Sequence, residues 1–100
     1  MDKIRAVLFG AGAMARMHAR NALQAGGIEL AGVCSRSSAS AAALRQELGV
    51  PLPYFPDFRS MVDTTEPDVL FVCVPPYAHG GEAEYAAERG IHLFLEKPLA

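Results

Sequence analysis

Apolar residues along the chain gather into short runs separated by stretches with helical spacing. Lys3 to Phe9 is an apolar-rich run that predicts a first strand. From Ala13 to about Ala25 the spacing turns helical, with Ala15, Ala19, Ala22 and Leu23 sharing one face, and Gly26-Gly27 closes the segment. Because most of that face is small, the helix can lie close to a sheet. Ile28 to Cys34 predicts a second strand. A second helix follows, with Ser37 or Ser38 as its cap, Ala41, Leu44 and Leu48 as its apolar stripe, and Gly49 as its stop. Pro51, Pro53 and Pro56 leave room only for a very short strand at Tyr54-Phe55, and Asp57 is placed to cap a short helix over Phe58 to Asp63. Val69 to Val74 is six apolar residues in a row, the pattern of a central parallel strand covered on both faces. His79 to Arg89 predicts a helix with Ala83, Ala86 and Ala87 inward and Gly90 as its stop. Ile91 to Leu95 predicts the last strand, which runs into Glu96-Lys97-Pro98.

Strands alternating with helices imply repeated βαβ units, hence a parallel sheet with right-handed crossovers. The expected fold is α/β, a doubly wound parallel sheet of the Rossmann type with strand order 3-2-1-4-5, occupying residues 1–100 as a single domain. Its ligand crevice is expected at the carboxyl ends of strands 1 and 4. The loops there are Gly10 to Ala13 and Pro75 to His79, flanked by Ser35 to Ser37 and Glu96 to Pro98. Every unusual local sequence in the chain falls at that edge.

Gly10-Ala11-Gly12-Ala13-Met14-Ala15 fits the pattern G-x-G-x-x-A. The first glycine permits a tight turn. The second leaves space where a pyrophosphate meets the backbone, and Ala15 lets helix and strand pack closely. The helix N-terminus offers unpaired N–H groups and the positive end of its dipole. Such a motif is weak alone, but this one follows a predicted strand, opens a helix and begins a βαβ unit. A turn made glycine-rich by packing alone is the competing explanation.

An acid about 20 residues beyond the glycines commonly holds the free ribose 2′-hydroxyl of NAD. That position reads Ser35-Arg36-Ser37-Ser38, and Glu29 is too far back along its strand. Serine hydroxyls and a guanidinium suit a 2′-phosphate, so NADP(H) is the expected cofactor, with NAD(H) still possible. Alternatively Arg36 stacks on the adenine or stays solvated, and both cofactors are accepted.

Val74-Pro75-Pro76-Tyr77-Ala78-His79 is expected to wall the nicotinamide-ribose side, with His79 making a structural hydrogen bond at a helix start in preference to moving a proton. His18 reads as a packing or surface residue, and His92 receives no role. Glu96-Lys97 places two charges at the end of a buried strand, where charges are costly without a purpose. Pro98 restricts Lys97 to extended backbone, which is expected to aim it into the crevice, where a lysine assists proton transfer at a substrate hydroxyl or carbonyl. A salt-bridged surface loop is the alternative.

Composition narrows the partners. A formal net charge of −2 gives no general attraction to nucleic acid or anionic membrane, so an anion site must be local. No apolar run approaches the roughly 18 residues of a membrane span. MDKIRAVLFG has too short an apolar run for a signal peptide. Cys34 and Cys73 read as buried thiols rather than as a disulfide or metal pair, which fits a reducing cytoplasm.

These residues resemble the N-terminal domain of the Gfo/Idh/MocA family, the glucose-fructose oxidoreductase and inositol dehydrogenase group. The resemblance spans essentially the whole chain and rests on "GAGAMARMHA" and "DVLFVCVPPYAHGGEAEYAAERGIHLFLEKPLA". It implies reversible nicotinamide-dependent oxidation of an alcohol on a sugar, inositol or related polyol. Lys97 matches the lysine of the family's Glu-Lys-Pro motif, assigned there to substrate binding and proton relay. Gly10, Gly12, Met14 and Ala15 match the cofactor turn, and Pro75, Pro76 and His79 match the cofactor-side loop. Ser35 and Arg36 depart from NAD-preferring members, which carry an acid.

Family members continue into a larger α/β domain that supplies substrate contacts, catalytic partners and oligomer contacts. The expectation is therefore a cofactor-binding portion of a longer homo-oligomeric enzyme, inefficient alone. A nucleotide-binding sensor or regulatory module would not need Lys97. A methyltransferase-like domain binding S-adenosylmethionine would normally want an acid after strand 2.

Overall fold

The computed structural model describes residues 3–35, 37–73 and 81–95. Five parallel strands form one sheet in the order β3-β2-β1-β4-β5. They are β1 (Ile4–Phe9), β2 (Ile28–Cys34), β3 (Tyr54–Phe55), β4 (Val69–Val72) and β5 (His92–Leu95). The helices are α1 (Ala13–Ala25), α2 (Ser38–Leu48), α3 (Phe58–Thr65) and α4 (Glu82–Glu88). The expected doubly wound α/β architecture and strand order are the ones observed.

The chain winds outward from β1 twice, in opposite directions, and right-handed crossovers therefore put α1 and α2 on one face and α3 and α4 on the other. On one face, Ala19 and Ala22 of α1 and Ala41 and Leu44 of α2 pack with Ala6, Leu8, Leu30 and Val33 of the sheet. On the other, Phe58, Met61 and Val62 of α3 and Ala86 of α4 pack with Val7, Cys34, Leu70 and Val72. Ala15 and Ala19 are wholly buried, so α1 is brought close to the sheet along its small face.

Between β1 and β2 the register slips: Ala6 faces Leu30, but Val7 faces Gly32, leaving Ala31 as an extra residue. The bulge inverts side-chain parity in the second half of β2. Leu30 and Val33 consequently point to the α1/α2 face, whereas Ala31 and Cys34 point to the α3/α4 face.

Three boundaries differ from the sequence expectation by two residues or more. α3 continues to Thr65, two residues beyond Asp63. Thr65 Oγ1 donates to the Met61 carbonyl at 2.8 Å, and the helix stops only at Glu66, which takes φ 45° ahead of Pro67. β4 ends at Val72, and Val74 lies outside the described residues. Its Leu70 and Val72 are buried but Val69 and Phe71 only half-buried, so cover is complete on the α3/α4 face alone. α4 opens at Glu82 rather than His79, because Gly81 before it takes φ 87°, which a right-handed helix does not admit. In α4, Ala86 is buried as expected but Ala87 is exposed, because Tyr85 is the neighbour that faces α3. The Ala83 side chain lies outside the described residues.

Candidate dinucleotide site

At the carboxyl edge, three strand ends are fastened together by backbone hydrogen bonds. Gly10 N donates to the Cys34 carbonyl at 2.7 Å, and Cys73 N donates to the Phe9 carbonyl at 2.8 Å. The glycine turn therefore sits between the exits of β2 and β4, at the point where the strand order reverses and α/β sheets hold their ligands.

The turn divides its tasks among small residues. Gly10 is buried and takes φ 110°, a conformation that a side chain resists. Ala11 is half-buried against the α1/α2 core. Gly12 is the N-cap of α1, its carbonyl accepting from Arg16 N at 3.1 Å. Its φ of −85° and ψ of −161° are open to any residue, so conformation does not demand a glycine. Packing does not demand one either, because a Cβ built there meets nothing within 4 Å. Ala13 and Met14 begin α1 on its exposed side, and Ala15 is buried against the sheet.

The first turn of α1 has no acidic residue and no side-chain cap. Its N–H groups, which lack intrahelical acceptors, open onto the space that Gly12 leaves clear. Donors, a positive helix end and an absent side chain together fit a phosphate group.

Ser35 and Ser37 lie at the exit of β2, beside Gly10. Their hydroxyls are engaged within the turn. Ser35 Oγ donates to the Ser37 carbonyl at 2.8 Å. Ser37 Oγ accepts from Ser40 N at 3.2 Å, which makes Ser37 the α2 cap, and lies 3.0 Å from Ser40 Oγ. Ser35 has thus used its one hydrogen, while the Ser37–Ser40 pair retains one to offer outward. Arg36 lies outside the described residues, as do Val74, Pro75, Pro76, His79, Glu96 and Lys97.

One neighbour of this edge carried no sequence signal. Tyr54 in β3 donates its hydroxyl to the Ser35 carbonyl at 3.4 Å. Only the β2–β3 register, Val33 with Tyr54 and Cys34 with Phe55, makes them neighbours.

Other chemistry-bearing residues have structural partners. The His18 ring stacks on Phe71 with centroids 5.5 Å apart. Of the two cysteines, Cys34 is buried and Cys73 half-buried. Among the described residues no cluster of His, Cys, Asp or Glu could hold a metal, and no helix is long and apolar enough to cross a membrane. A cleft of about 390 Å³ lined by Asp63, Glu66, Pro67 and Arg89 opens at the opposite edge of the sheet, below the starts of β4 and β5.

A family model described as an oxidoreductase family with an NAD-binding Rossmann fold matches residues 4–100. The chain is 35% identical over 78 residues to the Haloferax volcanii D-xylose 1-dehydrogenase (NADP(+)) 2, covering 78% of this chain and 24% of that protein. It is 33% identical over 98 residues to the Escherichia coli D-glucoside 3-dehydrogenase, covering 97% of this chain and 28% of the relative. Among solved structures it resembles the Lactobacillus casei myo-inositol dehydrogenase in complex with NAD(H) and myo-inositol. That match has a TM-score of 0.85 at 26% identity and covers 98% of this chain and 29% of the other. The chain thus spans about a quarter of the length of these relatives.

Proposed function

The chain belongs to the Gfo/Idh/MocA oxidoreductase family, and on that premise we propose that it is the cofactor-binding domain of a dehydrogenase acting on a hydroxyl of a sugar, inositol or related polyol. Gly12 is the observation that carries the reading. Neither its backbone angles nor its neighbours call for a glycine, so the space it leaves is best explained by a bound pyrophosphate.

Gly10 to Ala15 would hold the pyrophosphate against the α1 N-terminus. Ser35 to Ser37 would meet the adenosine ribose. Val74, Pro75, Pro76 and His79, with Glu96, would border the nicotinamide half. When bound, the nicotinamide supplies hydride transfer to or from the substrate carbon. Lys97 would hold the substrate oxygen and pass its proton. A second domain, like the remaining length of the relatives, would bring the substrate and assemble a homo-oligomer. Cys34 and Cys73 fall in apolar runs rather than at disulfide or metal-site spacing, which suits a cytoplasmic setting.

NADP(H) is the preferred cofactor in this proposal. The exit of β2 holds no acid to repel a 2′-phosphate, and the engaged Ser35 hydroxyl shifts the task onto Arg36, the Ser37–Ser40 pair and the α2 N-terminus. The relatives include an NADP(+) enzyme and one solved with NAD(H), so a direct measurement decides. Calorimetric titration with NADP⁺ and NAD⁺ should show tighter NADP⁺ binding that narrows in Arg36→Ala. A preference unchanged in that variant, or one for NAD⁺, would overturn the assignment. In the complete enzyme, turnover of polyols and sugars should fall about 10²-fold or more in Lys97→Ala. Undiminished turnover removes Lys97 from the reaction.

A further inference from the structure

β3 is two residues long, and it pairs only with the last two residues of β2, Val33 and Cys34. Val33 N also donates to the Pro53 carbonyl at 2.9 Å. Phe55 packs over Gly32, where a Cβ would meet its Cε1 at 2.9 Å. These contacts fasten β3 to the segment of β2 that leads out to Ser35. Tyr54 then reaches one residue beyond the ladder. Its ring packs against the α1/α2 core, and its hydroxyl donates to the Ser35 carbonyl.

We propose that Tyr54 is a positioning residue for cofactor selection, acting through the Ser35 carbonyl on the turn that meets the adenosine ribose. This rests on the reading of residues 35–37 as the ribose edge. The turn is closed by the Ser35 Oγ bond to the Ser37 carbonyl and by the Ser37 cap on α2, so it is a connected unit. Moving Ser35 moves the α2 cap and the hydroxyls beside it. At 3.4 Å the Tyr54 bond is long for a hydroxyl donor, so it adds little to overall stability. NAD and NADP differ only at the ribose that this turn meets. Loss of a positioning contact therefore changes the ratio of the two affinities, whereas loss of packing alone weakens both alike.

The test measures NADP⁺ and NAD⁺ dissociation constants by calorimetry for wild type, Tyr54→Phe and Arg36→Ala, with a thermal melt of each. Tyr54→Phe keeps the ring, and so the fold, and removes the hydroxyl. The affinity ratio should shift by about two- to tenfold in Tyr54→Phe, with little change in melting. An unchanged ratio in Tyr54→Phe beside a changed one in Arg36→Ala overturns the role of Tyr54 and leaves the ribose edge standing. Unchanged ratios in both variants overturn the ribose-edge reading together with this one.

Discussion

Gly10 N donates to the Cys34 carbonyl at 2.7 Å, so the glycine turn and the exit of β2 are a single fastened edge. A dinucleotide spanning that edge would meet its pyrophosphate turn and its ribose turn already in register. The ordering cost of binding is reduced to that extent.

Gly10 itself should not tolerate a side chain. At φ 110°, alanine there is expected to destabilise the fold by about 1–3 kcal/mol. Chemical denaturation of Gly10→Ala measures this directly. A variant as stable as wild type would show that the turn relaxes freely.

Gly32 should be intolerant for a different reason. Its added methyl meets the Phe55 ring at 2.9 Å, so Gly32→Ala is expected to lose about 1–3 kcal/mol by overpacking. Phe55→Leu should recover part of that loss in the double variant, because the two positions are in contact. Additive losses in a double-mutant cycle would mean that the strain is elsewhere.

Two helix starts depend on single side chains. Ser37 Oγ accepts from Ser40 N, and Asp57 Oδ2 accepts from Ser60 N at 2.9 Å. Alanine at either position should lower unfolding stability by about 1 kcal/mol. Ser37→Ala should also weaken nucleotide binding, since Ser37 lies in the turn at the exit of β2.

Tyr85 gives a pH dependence at the alkaline end. Its hydroxyl donates to Asp63 Oδ1 at 2.7 Å, which raises its pKa from the ordinary 10.0, with partial burial adding to the effect and Arg89 and Arg59 opposing it. The folded state holds the phenol proton more tightly than the unfolded state. The associated stability is therefore full below pH 10.0 and declines as pH rises through the folded value. Absorbance titration should show a late-ionising tyrosine that Tyr85→Phe removes, and Asp63→Asn should bring its ionisation down.

The strand order, the ends of α1 and the cap of α2 were legible in the sequence, since each depends on local spacing and on glycine or serine at an element boundary. The start of α4 was not. Its inward alanines begin only at Ala83, which leaves the start open, and the φ of Gly81 shows where the helix can begin. The bulge at Ala31 was equally hidden, because its cause is the alignment of β2 with β1 rather than anything within β2. At the site, Gly10 to Ala15 could be read as a candidate phosphate cradle only from their pattern together with the strand before them and the helix they open. The Tyr54–Ser35 contact required the pairing of strands distant in sequence.

Gly12 offers the most direct test of the account. Aspartate is a better N-cap than glycine by a few tenths of a kcal/mol, and a negative charge at the start of α1 adds about 0.3–1 kcal/mol. The position has ordinary backbone angles and clear space, so Gly12→Asp should fold at least as stably as wild type. The same carboxylate would occupy and repel the pyrophosphate. Calorimetric titration with NADP⁺ and NAD⁺ should therefore show binding by wild type and none by Gly12→Asp, with its melting temperature unchanged or raised. Affinity retained in Gly12→Asp would contradict the placement of a dinucleotide on this turn.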